Sequence, residues 1–425
     1  MIKTVIKRNG STEEFQADKL NKWVEWSDKA HGAGWSEIVL KVVSSLPEQA
    51  TSKQIQEAAI KFCLNKRTWA ANQMAGRLYA ALMLKDIHGS DKYPTVKEVH
   101  DNLFKAGLMV KLDYSDLEYK QVESFINHNL NFQSAHYSLQ QCRTKYALRN
   151  KKTGKEYETP QFVYMRMAMA LAEQEPKETR MKDVERFYYY FSNKIINCPT
   201  PYYVNLGTNL NGYSSCAVYS AGDTWKSLAA GDHFAYAMTA MSAGIGTHIK
   251  TRSIGDPIRG GLIQHQGKIP YYRSVVAAVS ANLQNGRGGA STVHYTCFDP
   301  EAETIEKLKN PMTPLVKQVR GVDYSLGTNK FFARKAAKDE DVHLFSYLEA
   351  TDLYEAQYSK DQSEFERLYE KYEKEGKLGK KVKARQLILG ALQEGFETGR
   401  FYLHFMDAMN QHTPFKEKIY SSNLC

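Results

Sequence analysis

The stretch Ser214-Ser215-Cys216-Ala217-Val218-Tyr219-Ser220, preceded by Pro199-Thr200-Pro201 and followed by Gly222-Asp223, marks a change in the texture of this chain. Ser215–Ser220 reads as a short β-like run, the first of a series with Gly246–Lys250, Ser291–Cys297, Val342–Phe345 and Phe401–Phe405. Between them fall helical stretches near 225–243, 300–309, 361–376 and 383–399. Alternating strands and helices predict an α/β barrel or sheet over residues 200–425.

Upstream of Pro199 the signals differ. Thr4–Arg8 and Ser11–Phe15 are two short strand-like runs joined by Asn9-Gly10, the strongest short hairpin signal. Asp18 is expected to cap a helix that turns Leu20, Trp23 and Val24 inward. Helices follow at 36–45, after Thr51 (a capping box with Gln54) and from 68 to 88. From Tyr93 to Cys198 the pattern stays helical, with capping boxes at Thr95/Glu98 and Ser115/Glu118 and a helix start at Thr159-Pro160. One interruption, Tyr146 to Glu158, centres on Lys152-Thr153-Gly154 and reads as a hairpin. Met165, Met167 and Met169 are read as core packing rather than a ligand-binding stripe.

The 425 residues allow two or three structural units around a large core, and 42% hydrophobic with 24% charged residues is ordinary for a globular protein. No apolar run has the length of a membrane span, and the opening lacks the apolar stretch of a signal peptide. The formal charge of +10 raises the question of nucleic acid, but the cations, spread along helices and densest at Lys380-Lys381-Val382-Lys383-Ala384-Arg385, read mostly as solvated faces mixed with Glu. There is no zinc finger, RNP-like strand or basic arm. The potential suits nucleoside phosphates or an acidic partner better than direct nucleic-acid binding.

Six cysteines are scattered without a CxxC, which fits a reducing cytoplasm rather than a zinc site or disulfide scaffold. Taken alone, Cys216 reads as a small buried hydrophobe. Its setting, with Ser215 before it, Thr200 sixteen residues upstream and Asp223 seven downstream, favours a functional thiol. The chain's last residues, Ser421-Ser422-Asn423-Leu424-Cys425, place a second unusual thiol after a turn-rich stretch. Ala243-Gly244-Ile245-Gly246 lacks the third glycine of a dinucleotide fingerprint, Gly260-Gly261 is a turn signal, and neither is a Walker loop. His404 and His412 flank Asp407 at a spacing that matches no helical metal motif, so no metal site is expected.

Together the Asn423-Leu424-Cys425 and Ser214-Ser215-Cys216 motifs, the Gly286-Arg287-Gly288-Gly289-Ala290 segment and the Lys7-Arg8-Asn9-Gly10-Ser11-Thr12-Glu13 opening resemble the large, catalytic subunit of class I ribonucleotide reductase. The resemblance runs over essentially the whole chain. It implies an ATP-cone over 1–90, a helical domain over 91–199, and over 200–425 the first half of the ten-stranded α/β reductase barrel, up to its finger loop. It implies reduction of ribonucleoside diphosphates to deoxyribonucleotides, for DNA replication, by thiyl-radical chemistry. In that family's pattern Cys425 becomes the thiyl radical, Asn423 bonds the reacting ribose hydroxyl, and Cys216 is one of two thiols that end as a disulfide. Thr200, Ser215, Ala243 and Gly244 match positions lining the substrate pocket and its diphosphate end, while Cys63, Cys142, Cys198 and Cys297 match nothing catalytic and are read as packing residues.

The resemblance also implies two sites for ATP and deoxynucleotide effectors. A specificity site would use Asp223 and Arg252, with Pro311–Gly321 relaying effector identity; Pro311, Pro314 and Gln318 depart from the common pattern there. An activity site in the cone would use Lys7, Glu13, Lys19, Ser52, Gln56 and Lys85, with Gln56 where a histidine is typical of dATP-inhibited enzymes. No cofactor is expected on this chain; a di-iron tyrosyl radical is expected on a separate small subunit. The family's catalytic Glu, second redox cysteine, phosphate loop, relay tyrosines and C-terminal cysteine pair all fall beyond Cys425. The expected partners are therefore a C-terminal half of the large subunit, the radical-generating small subunit, and thioredoxin or glutaredoxin acting through that half. A gene split, as seen in large phages, or a splicing junction would account for the chain's end, and the expected location is the cytoplasm, that of a host cell if the chain is phage-encoded. The alternative reading is a catalytically inactive, nucleotide-binding regulatory chain of a reductase complex.

Overall fold

The computed structural model describes residues 2–28, 32–241, 243–281 and 290–423. Leu424, Cys425 and the glycines at 286, 288 and 289 lie outside the described residues. The chain divides into two compact units, Met1–Tyr213 and Ser214–Cys425.

The first unit opens on strands β1 (Thr4–Ile6) and β2 (Thr12–Glu14), paired antiparallel across Asn9-Gly10. Gly10 takes φ +83°, a turn conformation that suits glycine. Helices α1 (Ala17–Asp28) and α2 (Trp35–Ser45) lead to β3 (Gln49–Thr51), which lies parallel to β1 and completes the order β2-β1-β3. Helices α3 (Ser52–Asn65) and α4 (Trp69–His88) follow, and Val24, Ile38, Val42, Ala59, Cys63, Met74 and Leu78 are fully buried among these elements. The Thr51/Gln54 capping box forms reciprocally, and Thr68 caps α4. Asp18 is not the cap: Ala17 is already helical, so Asp18 sits in the first turn of α1, where its charge still complements the helix dipole.

The rest of this unit is helical. Val96–Lys105 and Asp116–Phe125 start on the two expected capping boxes, and Pro160–Ala172 packs on Arg180–Ser192. Met165, Met167 and Met169 are fully buried. The Thr159 hydroxyl makes no cap bond; the start of its helix is set by the fixed φ of Pro160. Residues 146–158 close on one antiparallel bridge, Arg149 to Glu156. Buried Arg166 pairs with buried Glu158 at 2.7 Å and donates to the carbonyls of Tyr203 and Leu206 at 2.8 and 2.5 Å, tying down the short helix Thr200–Asn205.

The second unit is built on five parallel strands: β4 (Cys216–Ala221), β5 (Gly244–Ile249), β6 (Ser291–Thr296), β7 (Asp323–Thr328) and β8 (Phe401–Phe405). Their spatial order is β8-β7-β6-β5-β4, so each strand is laid beside its predecessor without a reversal. With the right-handed crossovers general to parallel sheets, such an order places successive connecting helices on one face, as in a barrel wall rather than a doubly wound sheet. Alternate residues follow that division. Ile245, Val293, Tyr295, Tyr324 and Leu326 join the apolar core with Tyr272, Val275 and Phe298. Cys216, Val218, Gly244, Gly246, His248, Thr292, His294 and Ser325 belong to the opposite set, which apart from Val218 is small or polar.

β7 is a strand that the composition of its segment conceals. Val342–Phe345 does not join the barrel sheet: Asp341–His343 pairs antiparallel with Lys381–Lys383. Within the basic run 380–385, Lys381–Lys383 is thus a strand with exposed lysines and buried Val382 rather than a helix face, and only Ala384 and Arg385 belong to a helix, Ala384–Thr398.

Candidate functional site

Two assemblies of side chains stand out, one in each unit. In the second, Cys216 opens β4 directly opposite Gly244 on β5. The backbone N–H of Gly244 donates to the Ser215 carbonyl at 2.8 Å, and the Ser215 hydroxyl lies 3.4 Å from the Cys216 sulfur. Ser215, Cys216, Ala243 and Gly244 are therefore side by side at the amino-terminal edge of two strands. Cys216 is partly exposed, whereas Cys63, Cys142 and Cys297 are buried and their thiols are pushed up by desolvation, the first two to about 12. Thr200 belongs to the first unit, at the start of its short helix.

The segment 419–423 runs across the polar face of the sheet. Asn410 grips Ile419 at both backbone groups, donating to its carbonyl and accepting from its N–H at 2.8 Å each. Tyr420 stacks on His248 with ring centroids 5.2 Å apart, donates to Glu355 at 2.5 Å, and has the Lys250 ammonium 4.4 Å from its ring centre. The Ser422 carbonyl accepts from His294 Nε2 at 2.7 Å. Burial holds His294 down to about 4 and His248 well below the usual histidine range, so both rings are neutral, and His294 Nε2 faces both the carbonyl and, at 3.3 Å, the N–H of Ser422. A Cβ at Gly246 would overlap the Ser422 carbonyl oxygen and stand 2.9 Å from Val218 Cγ1. The path to Asn423 thus depends on Gly246, His294, Asn410 and Tyr420; only Gly246 stands out in the sequence, as part of a glycine pair with no role of its own there.

Asp223 and Arg252 meet: Oδ2 is 2.8 Å from Arg252 Nε, while Oδ1 accepts from Arg252 N at 3.0 Å and from the Thr251 hydroxyl at 2.8 Å. The loop 311–321 exposes Met312, Leu315 and Val316, and Gln318 closes it by donating to the carbonyls of Thr313 and Pro311 at 2.5 and 3.3 Å. His404 accepts or donates to Ser325 at 2.8 Å and Asp407 accepts from the Lys330 N–H; among the described residues no His/Cys/Asp/Glu group could hold a metal.

In the first unit Lys7, Glu13, Lys19, Ser52, Gln56 and Lys85 all line a single cavity of about 700 Å³. Its wall also holds Arg8, Asn9, Phe15, Trp23 and Asp91. Lys7 and Lys19 reach Glu13 at 2.6 and 3.1 Å, and their hydrogen bonds hold its carboxyl below the usual range. Ser52 is the first residue of α3, where helix N–H groups and the dipole favour an anion. Four cations against two carboxylates, two aromatic rings and a helix N-terminus form a lining suited to a nucleoside polyphosphate. Arg8 was legible only as a neighbour of Lys7 in the hairpin.

Sequence comparison agrees with this architecture. Residues 214–425 match the ribonucleotide reductase barrel domain, 132–211 the ribonucleotide reductase all-alpha domain, and 3–77 the ATP cone domain. The chain belongs to the ribonucleotide reductase large-subunit family, of which it represents the amino-terminal portion. It is 34% identical over 437 residues to ribonucleoside-diphosphate reductase 1 subunit alpha of Escherichia coli K12, and 33% identical over 436 residues to the corresponding Salmonella typhimurium subunit. It is 32% identical over 435 residues to the ribonucleoside-diphosphate reductase subunit alpha of Enterobacteria phage T4. In each case the alignment covers 99% of this chain and 57% of the relative, so the chain spans just over half the length of these subunits.

Proposed function

We propose that this chain supplies the amino-terminal portion of the catalytic subunit of a ribonucleoside-diphosphate reductase. The observation that carries this reading is that the segment leading into Asn423 and Cys425 lies over Gly246, His248 and His294, on the polar sheet face that Cys216 shares. In this reading a Cys425 thiyl radical takes the ribose 3′ hydrogen as an atom, and Asn423 holds a ribose hydroxyl. The 2′ oxygen leaves as water. Cys216 and a second thiol from the remaining portion of the subunit give up two electrons and two protons, forming a disulfide, and Cys425 returns the hydrogen atom. Ser215, Ala243 and Gly244 would line the substrate pocket, and Asp223 with Arg252 would exchange their mutual ion pair for the hydroxyl and phosphate of an effector.

The working enzyme would combine this chain with the rest of the large subunit, a small subunit holding a di-iron tyrosyl radical, and thioredoxin or glutaredoxin as reductant. The test is CDP reduction by that assembly. Cys216→Ser and Cys425→Ala should each abolish product; turnover that survives Cys425→Ala rejects the mechanism. Modulation of an intact reductase with neither cysteine required would instead mark a regulatory chain. The cone cavity would bind ATP, and with Gln56 in its wall we expect dATP to inhibit weakly or not at all. Full inhibition by low dATP would overturn that expectation.

A further inference from the structure

Arg8 stands in the cone cavity but is not committed to it. Its Nη2 donates to Gln56 Oε1 at 3.1 Å and to Asp86 Oδ1 at 3.0 Å. Asp86, mostly buried near the end of α4, shares its carboxylate: Oδ2 lies 3.4 Å from Arg143 Nη2 and 3.8 Å from Lys53 Nζ. Arg143 in turn grips Glu156 with two nitrogens at 2.6–3.1 Å, and Glu156 is one half of the bridge that closes the turn at 149–156. One carboxylate therefore serves three cations, and only one of the three, Arg8, lines the cavity. A polyphosphate carries several negative charges against the single charge of Asp86, so it competes strongly for that guanidinium.

We propose that occupancy of the cone cavity is transmitted to the 149–156 turn by an exchange of partners at Asp86, with Arg8 as the moving part. The inference rests on reading the cavity as a nucleotide site. When the polyphosphate takes Arg8, the Asp86 carboxylate passes to Arg143 and Lys53. Arg143 is then held from both sides, by Asp86 and Glu156, and the turn tightens. Linkage makes the effect reciprocal: whatever loosens the grip of Asp86 on Arg8 favours the nucleotide, and whatever strengthens it opposes binding.

The experiment uses the full chain and ATP, with binding measured by calorimetry and amide exchange followed at 150–155, where Asn150 N donates to Lys155 O and Gly154 N to Asn150 O. ATP should slow exchange there about threefold or more. Asp86→Asn should raise ATP affinity about three- to tenfold and abolish that response, while Arg143→Gln should lower affinity by a similar factor, because Asp86 is then shared by Arg8 and Lys53 only and holds Arg8 more firmly. A long-range field would give the same two signs, so both substitutions are repeated in Arg8→Gln. There both affinity effects should vanish; if they persist, or if the exchange response survives Asp86→Asn, the exchange mechanism is wrong. ATP binding without any response at 150–155 overturns this inference and leaves the nucleotide site standing. No ATP binding at all removes both.

Discussion

Gly246 has no side chain, and the course of the chain beyond Ile419 depends on that. With a methyl group at this position the Ser422 carbonyl would have to move, and its bond to His294 with it. Gly246→Ala should therefore displace 419–423, costing about 1–3 kcal/mol of stability. In the proposed enzyme it should also remove most of the turnover, because Asn423 and Cys425 would be misplaced. Faster amide exchange at 420–423 would be the direct sign; unchanged exchange and activity would show that the crowding is relieved elsewhere. This residue illustrates what could be read from sequence. Cys216 and the cone cations announce their chemistry by type and spacing. Gly246 and His294 matter only because Ser422, distant in sequence, lies on them. Arg8 looks like any surface arginine until Asp86 is seen behind it.

At the scale of elements, β7 shows the limit of reading periodicity. Asp323, Ser325 and Gly327 alternate with Tyr324 and Leu326, a sound period of two, but acid and glycine within so short a run weaken the strand signal. It becomes the central support of β6 and β8 through tertiary burial on both faces. The helices of the first unit were legible because caps and apolar spacing agree locally. Two elements carry predictions. Arg166 joins Pro160–Ala172 to the helix bearing Thr200, and removing its charge by Arg166→Met leaves the buried Glu158 carboxylate with no cation, only the Leu148 N–H at 2.7 Å. A loss of about 3–5 kcal/mol is expected in urea unfolding of the first unit. Behind the exposed 311–321 loop, Glu306 is buried, and desolvation pushes its carboxyl up to about 8 despite nearby Lys307, with Glu394 adding to the rise. The folded chain thus holds this proton where the unfolded chain releases it, so the stabilisation is complete below about pH 4.5 and is lost as pH rises through about 8. Glu306→Gln should flatten that decline, by on the order of 2 kcal/mol at pH 9. An unchanged pH profile would show that Glu306 ionises normally.

For whole units, acid and architecture matter most. Burial lowers His88 and His128 to about 4 and His100 to about 3, all in the first unit. The unfolded chain takes up these protons first as pH falls below about 6.5, so stability is lost from there downward, before ordinary carboxylates titrate. Each histidine contributes about 1.4 kcal/mol per pH unit over that window. Urea melts at pH 7 and pH 5 should differ accordingly, and His128→Gln should recover part of the difference. Four of the five tryptophans lie in this unit and report on it. A melt that is flat between those pH values would mean that the histidines titrate normally.

The unreversed strand order has a further consequence, for how the second unit is made. Each strand of the sheet pairs with the one synthesised just before it, so a chain emerging from the ribosome can complete every pairing as soon as the next strand is free. β4, with its thiol, waits for nothing that lies beyond β5. The stretch that reaches Asn423 follows all five strands and settles on a surface they have already formed. The platform is thus cast before the reactive segment is laid on it.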